Sequence, residues 1–262
     1  MTLVRLERDY TCIAYTCIVD RILISDSSVD GGRAGSAVER DGAMALDATQ
    51  KEPTKTNIVR AGYRLLLSRG IKATTYAALA EASGCSRALV QYHIPVKARL
   101  ATELVIDLVA GIEVQIKNLE LSGLELTAYR FMVVQTYYAF LLDPRIRPFT
   151  VDLLSDRAIL TAAMAEEIEW NSRILGLDDA ADRSVVDRAV VALGGTHELL
   201  YWQLTRGEPS NAKELAESVL LGSVAGTDAD VAALQRLFAE RALSAETLEA
   251  AVDALNTSLT QD

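Results

Sequence analysis

The chain has 262 residues, half of them hydrophobic, and a formal net charge of −10, a composition typical of a globular protein with ample material for a core. No uninterrupted apolar stretch reaches the roughly 18 residues of a membrane-spanning helix, and acidic residues stand where a secretory signal would be cationic. Three unevenly spaced cysteines exclude a disulfide framework and a cysteine–histidine metal site. We therefore expect a cytoplasmic protein that makes no membrane contact and holds no metal or cofactor.

Residues 1–50 differ in character from the rest of the chain. They begin with a β-like stretch that contains the echo YTCIAYTCIV and continue with a small, polar, Gly/Ser-rich stretch. We predict a disordered extension and assign it no function. Because Met44 opens a plausible shorter chain, an alternative is that residues 1–43 precede the true start.

Charge is distributed unevenly along the chain. Residues 51–101 contain nine Lys or Arg and two Glu, a net charge of +7, whereas residues 1–50 and 102–262 carry −3 and −14. A solvated helical face is the simplest explanation of a charge cluster, but it does not predict one basic segment in an acidic protein. The segregation favours contact with nucleic acid.

The first predicted helix begins near Thr54 and ends at Gly70, which supplies a C-terminal stop. Its apolar residues recur at i, i+3, i+4, i+7 and i+8 and are Ile58, Ala61, Gly62, Leu65 and Leu66. A glycine inside a helix costs about 1 kcal/mol relative to alanine. Gly62 therefore indicates close packing against a neighbouring element.

Two short helices are predicted next. One follows a cap at Thr74-Thr75 and ends at Gly84, and the other starts at Ser86 and runs to about His93. A supporting helix followed by two short helices around a glycine-containing turn is the pattern of a helix-turn-helix. We place this domain over residues 51–100.

The helical pattern continues beyond residue 100, with no alternating strand pattern of useful length. Further helices are predicted over residues 97–120, 126–142, 150–175, 183–206, 211–225, 229–242 and 245–257. We therefore predict an all-α fold, in which an N-terminal three-helix helix-turn-helix domain is followed by a helical bundle over residues 101–262.

Several residues of the basic segment match a known pattern: Ile58, Ala61, Gly70, Thr74, Thr75, Leu79, Ala80, Gly84, Ser86, the run from Tyr92 to Lys97, and Leu100. Read without gaps, residues 58–100 resemble the DNA-binding domain of the TetR/AcrR (tetracycline-repressor-like) transcriptional regulators. The chain departs from the usual pattern at Gln91, Ile94 and Val96, where tyrosine, phenylalanine and a small polar residue are common.

The resemblance implies a homodimer that binds an inverted-repeat operator in double-stranded DNA, with repression more usual than activation. It also implies that a small-molecule effector, here unidentified, releases the operator. Residues 101–262 would then form the ligand-binding, regulatory and dimerisation domain.

The third helix would enter the major groove of DNA. Arg87 can pair with guanine or with phosphate, and Gln91 can bond to adenine. Ala88 or Leu89 can contact a thymine methyl group. Either Leu89 or Val90 must be buried to hold the helix against its neighbours, and Val90 is the better candidate for burial.

Contacts with DNA phosphates are expected from residues that flank the groove, namely Thr75, Tyr92, His93 and Lys97. Two of these residues have simpler explanations. His93 can cap the end of its helix, and Lys97 can solvate the start of the fourth helix.

The resemblance assigns an effector pocket to the middle helices, where aromatic residues are concentrated. The candidate pocket residues are Phe131, Tyr137, Tyr138, Trp170, His197 and Tyr201. Core packing explains aromatic residues at helical spacing at least as often.

Two late helices are the candidate dimer interface, because glycines permit close helix approach and aliphatic residues form a stripe. The interface residues are Gly194, Gly195, Leu215, Val219 and Leu220. The alternative is an ordinary core within one chain.

Two other functions compete with DNA binding. Few residues could serve catalysis, since the chain has two histidines and no HExxH, Walker, GxSxG or GxGxxG motif in a suitable context. His197-Glu198 is the one suggestive polar pair, and a buried histidine explains it more simply, so we predict no enzymatic activity. The other alternative is a helical adaptor or sensor that has lost DNA binding.

Overall fold

The computed structural model describes residues 48–117, 126–174, 183–226 and 229–261. Within these ranges the regular secondary structure is helical and contains no strand, which confirms the all-α prediction. The predicted disordered extension lies outside the described residues, except that residues 48–50 form the start of the first helix.

The described ranges contain eleven α-helices and one 3₁₀ turn at Pro144–Ile146. In chain order the helices are α1 (Ala48–Arg69), α2 (Tyr76–Ser83), α3 (Arg87–His93), α4 (Lys97–Lys117), α5 (Leu126–Leu141), α6 (Arg147–Ser155), α7 (Arg157–Ile174), α8 (Arg183–Arg206), α9 (Ala212–Ser223), α10 (Val231–Arg241) and α11 (Ala245–Thr260). No helix in these ranges combines the length and the apolar character needed to cross a membrane.

One helix predicted over residues 150–175 is in fact two, α6 and α7. Asp156 separates them with an extended backbone. Its Oδ1 accepts hydrogen bonds from the backbone N–H groups of Ala158 at 3.1 Å and Ile159 at 3.2 Å. A cap of this kind starts a new helix, whereas the apolar pattern continues through the break, so hydrophobic periodicity alone did not reveal it.

Helices α1 to α3, here called the head, pack around one apolar cluster with the start of α4. Ile58, Leu79 and Val90 are fully buried there. A Cβ atom on Gly62 would lie 2.6 Å from Leu100 Cδ2 and 3.3 Å from Leu79 Cδ2. The close packing predicted from a glycine in mid-helix is therefore confirmed.

Helix α5 is the centre of the remaining helices, here called the body. Residues 130–138 are all buried, and α5 packs against α4, α9, α10 and α11. Its buried Gln135 amide donates from Nε2 to the carbonyl of Leu243 at 3.3 Å and accepts the Leu243 N–H at 2.9 Å. This pair of hydrogen bonds satisfies the N–H and carbonyl groups of partly buried Leu243, between α10 and α11.

The head contacts the body where α1 ends on α6. Gly70 adopts φ +84°, and a Cβ atom there would lie 2.6 Å from Asp152 Oδ2 and 2.9 Å from the Pro148 carbonyl oxygen. The same Asp152 oxygen accepts the Lys72 N–H at 2.9 Å, and the Lys72 ammonium lies 3.2 Å from Asp152 Oδ1. Glycine is required here both by conformation and by space.

Candidate nucleic-acid interface

Helix α2 begins and ends at strong local signals. The Thr75 side-chain oxygen accepts the Ala78 N–H at 3.1 Å and caps the first turn. Gly84 ends the helix in a left-handed conformation, φ +66°, and the following Cys85 N–H bonds to the Ala80 carbonyl at 3.1 Å. The turn therefore forms from α2's own backbone groups, as expected for a glycine C-cap.

Helix α3 is short and fixed at both ends. The Ser86 side chain accepts the Leu89 N–H at 3.2 Å, and the Ile94 N–H bonds back to the Val90 carbonyl at 2.8 Å. The side chains of Val90 and Ile94 are buried, and the Tyr76 hydroxyl of α2 donates to the Pro95 carbonyl at 2.8 Å. These contacts hold α3 against α2.

One face of α3 is open to solvent. Arg87, Ala88, Gln91 and Tyr92 are exposed, and the spacing i, i+1, i+4, i+5 places them side by side. Arg87 and Gln91 form no hydrogen bond or ion pair within the described ranges. Their polar groups are thus available to an external partner.

Leu89 lies on the flank of this open face. It is half-buried and packs against the apolar core, while Val90 is fully buried, as the sequence suggested. Ala88 therefore exposes a larger fraction of its side chain than Leu89 to a partner such as a thymine.

Tyr92 and His93 meet at the C-terminal end of α3. Their rings form an edge-to-face pair with centroids 5.1 Å apart, and Tyr92 is 68% exposed whereas His93 is half-buried. The Tyr92 ring thus projects from the helix end with His93 behind it.

Lys97 has a structural partner that the sequence did not indicate. Its ammonium donates to the Thr74 carbonyl at 2.7 Å, so the start of α4 is tied to the residue before the α2 cap. This bond uses one of three ammonium protons. The positive charge is thereby placed beside Thr75 and the first turn of α2.

Comparison with protein-family models and with curated proteins gives no match to this chain.

Four of the six candidate pocket residues, Phe131, Tyr137, Tyr138 and His197, are buried. Phe131 is stacked on Phe238 of α10, with ring centroids 4.5 Å apart. Tyr137 and Tyr138 lie 6.5 and 6.1 Å from the ring of buried His197. Their burial agrees with core packing, the alternative explanation, and the assignment of these residues to an effector pocket stays a prediction.

The other two pocket candidates add little to an internal site. Tyr201 is half-buried and packs against the edge of the core. Trp170 belongs to α7, but its side chain lies outside the described residues.

Three of the five residues assigned to the dimer interface face inward, which corrects that assignment. Leu215, Val219 and Leu220 are at most 4% exposed, because α9 packs against both α8 and α5. Gly194 lies near Met164 of α7, whereas Gly195 is exposed with open space around it.

A different apolar surface lies on α8 around Gly195. We call it the outer face of α8, formed by Val191, Gly195, Leu199 and Trp202, which recur at i, i+4, i+8 and i+11. The exposed fractions of the three side chains are 74%, 41% and 44%. Sequence reasoning missed this face because α8 also carries a second apolar stripe, which includes Leu193 and Leu200 and packs into the core. The presence of two apolar stripes on one helix could have indicated that one of them is exposed.

Proposed function

We propose that this protein is a DNA-binding transcription regulator of the TetR/AcrR type, in which α3 enters the major groove of an operator. The observation that carries the proposal is the two-sided character of α3. Val90 and the residues behind it fix the helix to the head, while Arg87, Ala88 and Gln91 are exposed on the opposite side.

The dimensions of α3 suit this role. Seven helical residues rise roughly 10 Å, and the major groove is about 12 Å wide. Arg87 would bond to guanine and Gln91 to adenine, each through paired hydrogen bonds, and Ala88 would contact a thymine methyl group. These three residues would determine which sequence is bound.

Phosphate contacts would position α3 on the duplex. Tyr92 and His93 would meet one strand. Thr75 at the start of α2 and Lys97 at the start of α4 would meet a neighbouring phosphate. Two observations support these phosphate contacts. The 2.7 Å bond to the Thr74 carbonyl places the Lys97 ammonium beside Thr75, and residues 51–101 carry a net charge of +7. Such contacts set register and affinity without reading bases.

A second copy of the chain would supply the second half-site. A single head of this size contacts few bases, so tight binding needs two heads about one helical turn of DNA apart. The outer face of α8 is the proposed dimer surface, because it is apolar and contains Gly195, where open space leaves room for a partner helix to cross. We further propose that the regulator is a repressor and that a small-molecule effector releases it.

Selection of DNA fragments tests the proposal directly. Purified protein is incubated with sheared genomic DNA of the source organism at two salt concentrations, and the bound fragments are sequenced. Enrichment of one inverted repeat, weaker at the higher salt, is the expected result, because each phosphate contact releases counterions. Absence of enrichment at both salts contradicts operator binding and favours a helical adaptor.

A further inference from the structure

Two hydrogen bonds join the start of α2 to the segment between α3 and α4. The Tyr76 hydroxyl donates to the Pro95 carbonyl at 2.8 Å. The Lys97 ammonium donates in the other direction, to the Thr74 carbonyl at 2.7 Å. Each segment therefore supplies one side-chain donor and one backbone acceptor, and we call this pair of bonds the reciprocal bridge.

The α2 side of the reciprocal bridge is held in place by its neighbours. Thr74 is 1% exposed, and its hydroxyl donates to the Gly70 carbonyl at 2.7 Å. The next residue, Thr75, accepts the Ala78 N–H and starts α2. The Tyr76 ring is half-buried and packs against the apolar core. The Tyr76 hydroxyl therefore extends from a fixed position on α2.

The other side of the reciprocal bridge lies at the end of α3. Ile94 is buried, and its N–H bonds to the Val90 carbonyl at 2.8 Å. The ring of Pro95 fixes φ at about −65° and leaves the residue without an N–H to bond. The position of the Pro95 carbonyl is therefore coupled to the C-terminal end of α3.

The reciprocal bridge lies between the two groups of proposed DNA contacts. Thr75, a candidate for phosphate contact, stands between the two bridge residues of α2. Arg87 and Gln91, the candidates for base reading, belong to the helix that ends next to Pro95. Phosphate contacts set the register of a protein on DNA, and binding sites need their contacts held to within about 0.5 Å. A bond that fixes Thr75 relative to α3 therefore helps phosphate and base contacts to form together.

The contribution of Tyr76 to DNA binding is indirect in this arrangement. A phenolic hydroxyl has one proton, and Tyr76 donates it to the Pro95 carbonyl. The hydroxyl therefore has no proton for a phosphate while the bridge is intact. Lys97 differs, because its bond to the Thr74 carbonyl uses one of three ammonium protons.

We propose that Tyr76 is a positioning residue of the candidate interface. Its hydroxyl fixes the C-terminal end of α3 relative to Thr75, so that the phosphate contacts set the register of the base contacts. The role in base reading rests on the proposed function, whereas the fixing of α3 does not.

Tyr76→Phe removes the hydroxyl and keeps the ring against the core. The matched control is Tyr63→Phe, in which the lost hydroxyl donates to Asp107 Oδ2 at 2.8 Å and joins α1 to α4. Tyr63 is buried and belongs to no proposed DNA contact. Both variants are made in the full chain, and circular dichroism checks that the fold is kept.

Hydrogen exchange of the free protein, followed by NMR, tests the fixing of α3 without DNA. The exchange rate of the Ile94 N–H is compared with that of Leu66, a buried residue of α1, in each variant. In Tyr76→Phe we expect the ratio of the two rates to rise at least about threefold, because α3 loses a hydrogen bond at its end. In Tyr63→Phe the ratio should keep its wild-type value.

DNA binding tests the role in base reading. The affinity for the selected operator is divided by the affinity for an unrelated duplex of equal length, which gives a specificity ratio. We expect Tyr76→Phe to lower this ratio at least about fivefold. The affinity for the unrelated duplex and the salt slope should stay unchanged, because no charge is lost. A hydroxyl that only stabilises the fold would leave the ratio unchanged, as we expect for Tyr63→Phe.

Each contrary result has a distinct meaning. An unchanged exchange ratio in Tyr76→Phe overturns the fixing of α3, whether or not the protein binds DNA. Faster exchange with an unchanged specificity ratio overturns the role in base reading. Equal loss of affinity for both duplexes would show a direct phosphate contact and overturns that role as well. A wild type that selects no DNA contradicts the proposed function, and the exchange result then decides alone whether Tyr76 fixes α3.

Discussion

Thr75 and Ser86 both cap short helices, and Thr75 also belongs to the proposed interface. Each uses its side-chain oxygen to accept a backbone N–H in the first turn of a short helix. A hydroxyl that accepts in this way still has its own proton to donate. Thr75 can therefore cap α2 and still have a hydroxyl proton to donate to a phosphate in the proposed complex.

Base reading is expected to depend on Gln91. The side chain is exposed and makes no hydrogen bond within the described ranges, so its amide can form two hydrogen bonds with an adenine. Gln91→Ala should reduce discrimination at one operator position by about 1–3 kcal/mol and leave the other positions unchanged. Binding to an operator series with every single-base substitution measures this. Equal loss of affinity for all sequences would show that Gln91 does not read a base.

Lys97→Ala is the contrasting variant for that series. Loss of a phosphate contact weakens binding to every sequence and lowers the salt slope by about 1. If the ammonium serves only its bond to the Thr74 carbonyl, affinity falls through a displaced α2 and the salt slope keeps its wild-type value. The slope therefore separates the two roles of Lys97.

Among the elements, α11 is joined to the rest of the body by a polar cluster beside the 3₁₀ turn. Asp143 is buried and accepts hydrogen bonds from Arg145 Nε at 2.8 Å and from Asn256 Nδ2 at 3.0 Å. Arg145 also lies 2.7 Å from Asp253 of α11. Burial by itself raises the pKa of Asp143, but the hydrogen bonds and charge of Arg145, together with Asn256, hold the pKa below its ordinary value.

The cluster predicts a pH-dependent contribution to stability. Because the pKa of Asp143 is lower in the folded chain than in the unfolded chain, the ionised carboxylate stabilises the fold at neutral pH. That contribution decreases as the pH falls below the unfolded pKa of about 4 and through the folded value. Asp143→Asn should lower the free energy of unfolding by about 2 kcal/mol at neutral pH, and by less in acid.

Urea unfolding at neutral and at acid pH measures the difference between the wild type and Asp143→Asn. Asp253→Asn is the matched control, since it removes the exposed partner of the same arginine and should cost less than about 1 kcal/mol. An Asp143→Asn effect of equal size at both pH values would show that the carboxylate charge contributes nothing.

The elements also show which parts of the fold can be predicted from sequence. The ends of α2 and α3 depend on Thr75, Gly84 and Ser86, which act within a few residues, so local reasoning located both helices. The surroundings of Phe131 depend on how α5 packs against α10, and nothing near Phe131 in the sequence identifies Phe238 as its partner. Aromatic spacing therefore could not show which helix the Phe131 ring packs against.

Distance along the chain limits prediction of sites in the same way. Helix α11 lies beside α1, a placement marked by the bond between Arg64 and Thr260, which are 196 residues apart. By contrast, exposure of Arg87 and Gln91 followed from burial of Val90 on the same short helix. Exposure of side chains within one element could be predicted, whereas contacts between distant elements could not.

At the scale of the whole molecule, the outer face of α8 is an apolar surface that an aqueous monomer would disfavour. Three exposed apolar side chains share one side of a helix, and the Arg206 guanidinium lies over the Trp202 ring, 4.4 Å from its centroid. A two-fold pair of α8 helices would bury this face against its own copy, since such an interface uses the same patch on both chains. Gly195 would lie where the two backbones cross.

Introducing a charge into this face should therefore separate the two chains. In Leu199→Glu or Val191→Glu, the new carboxylate would be buried in an apolar interface without a partner, which is strongly unfavourable. We expect the wild type to have the mass of two chains by light scattering at micromolar concentration, and each variant to have a dissociation constant raised by at least about a hundredfold. Operator affinity should fall as the dimer dissociates, because one head alone binds a half-site weakly.

Val114→Glu is the matched control, since Val114 is 54% exposed in the interior of α4 and lies off the outer face of α8. It should keep both the dimer and the operator affinity, with unchanged circular dichroism in all three variants. A wild type that is monomeric at this concentration would contradict dimerisation itself. A dimer that persists in both Leu199→Glu and Val191→Glu would place the interface elsewhere, because a pairing through the outer face of α8 would bury an unpaired carboxylate at either position.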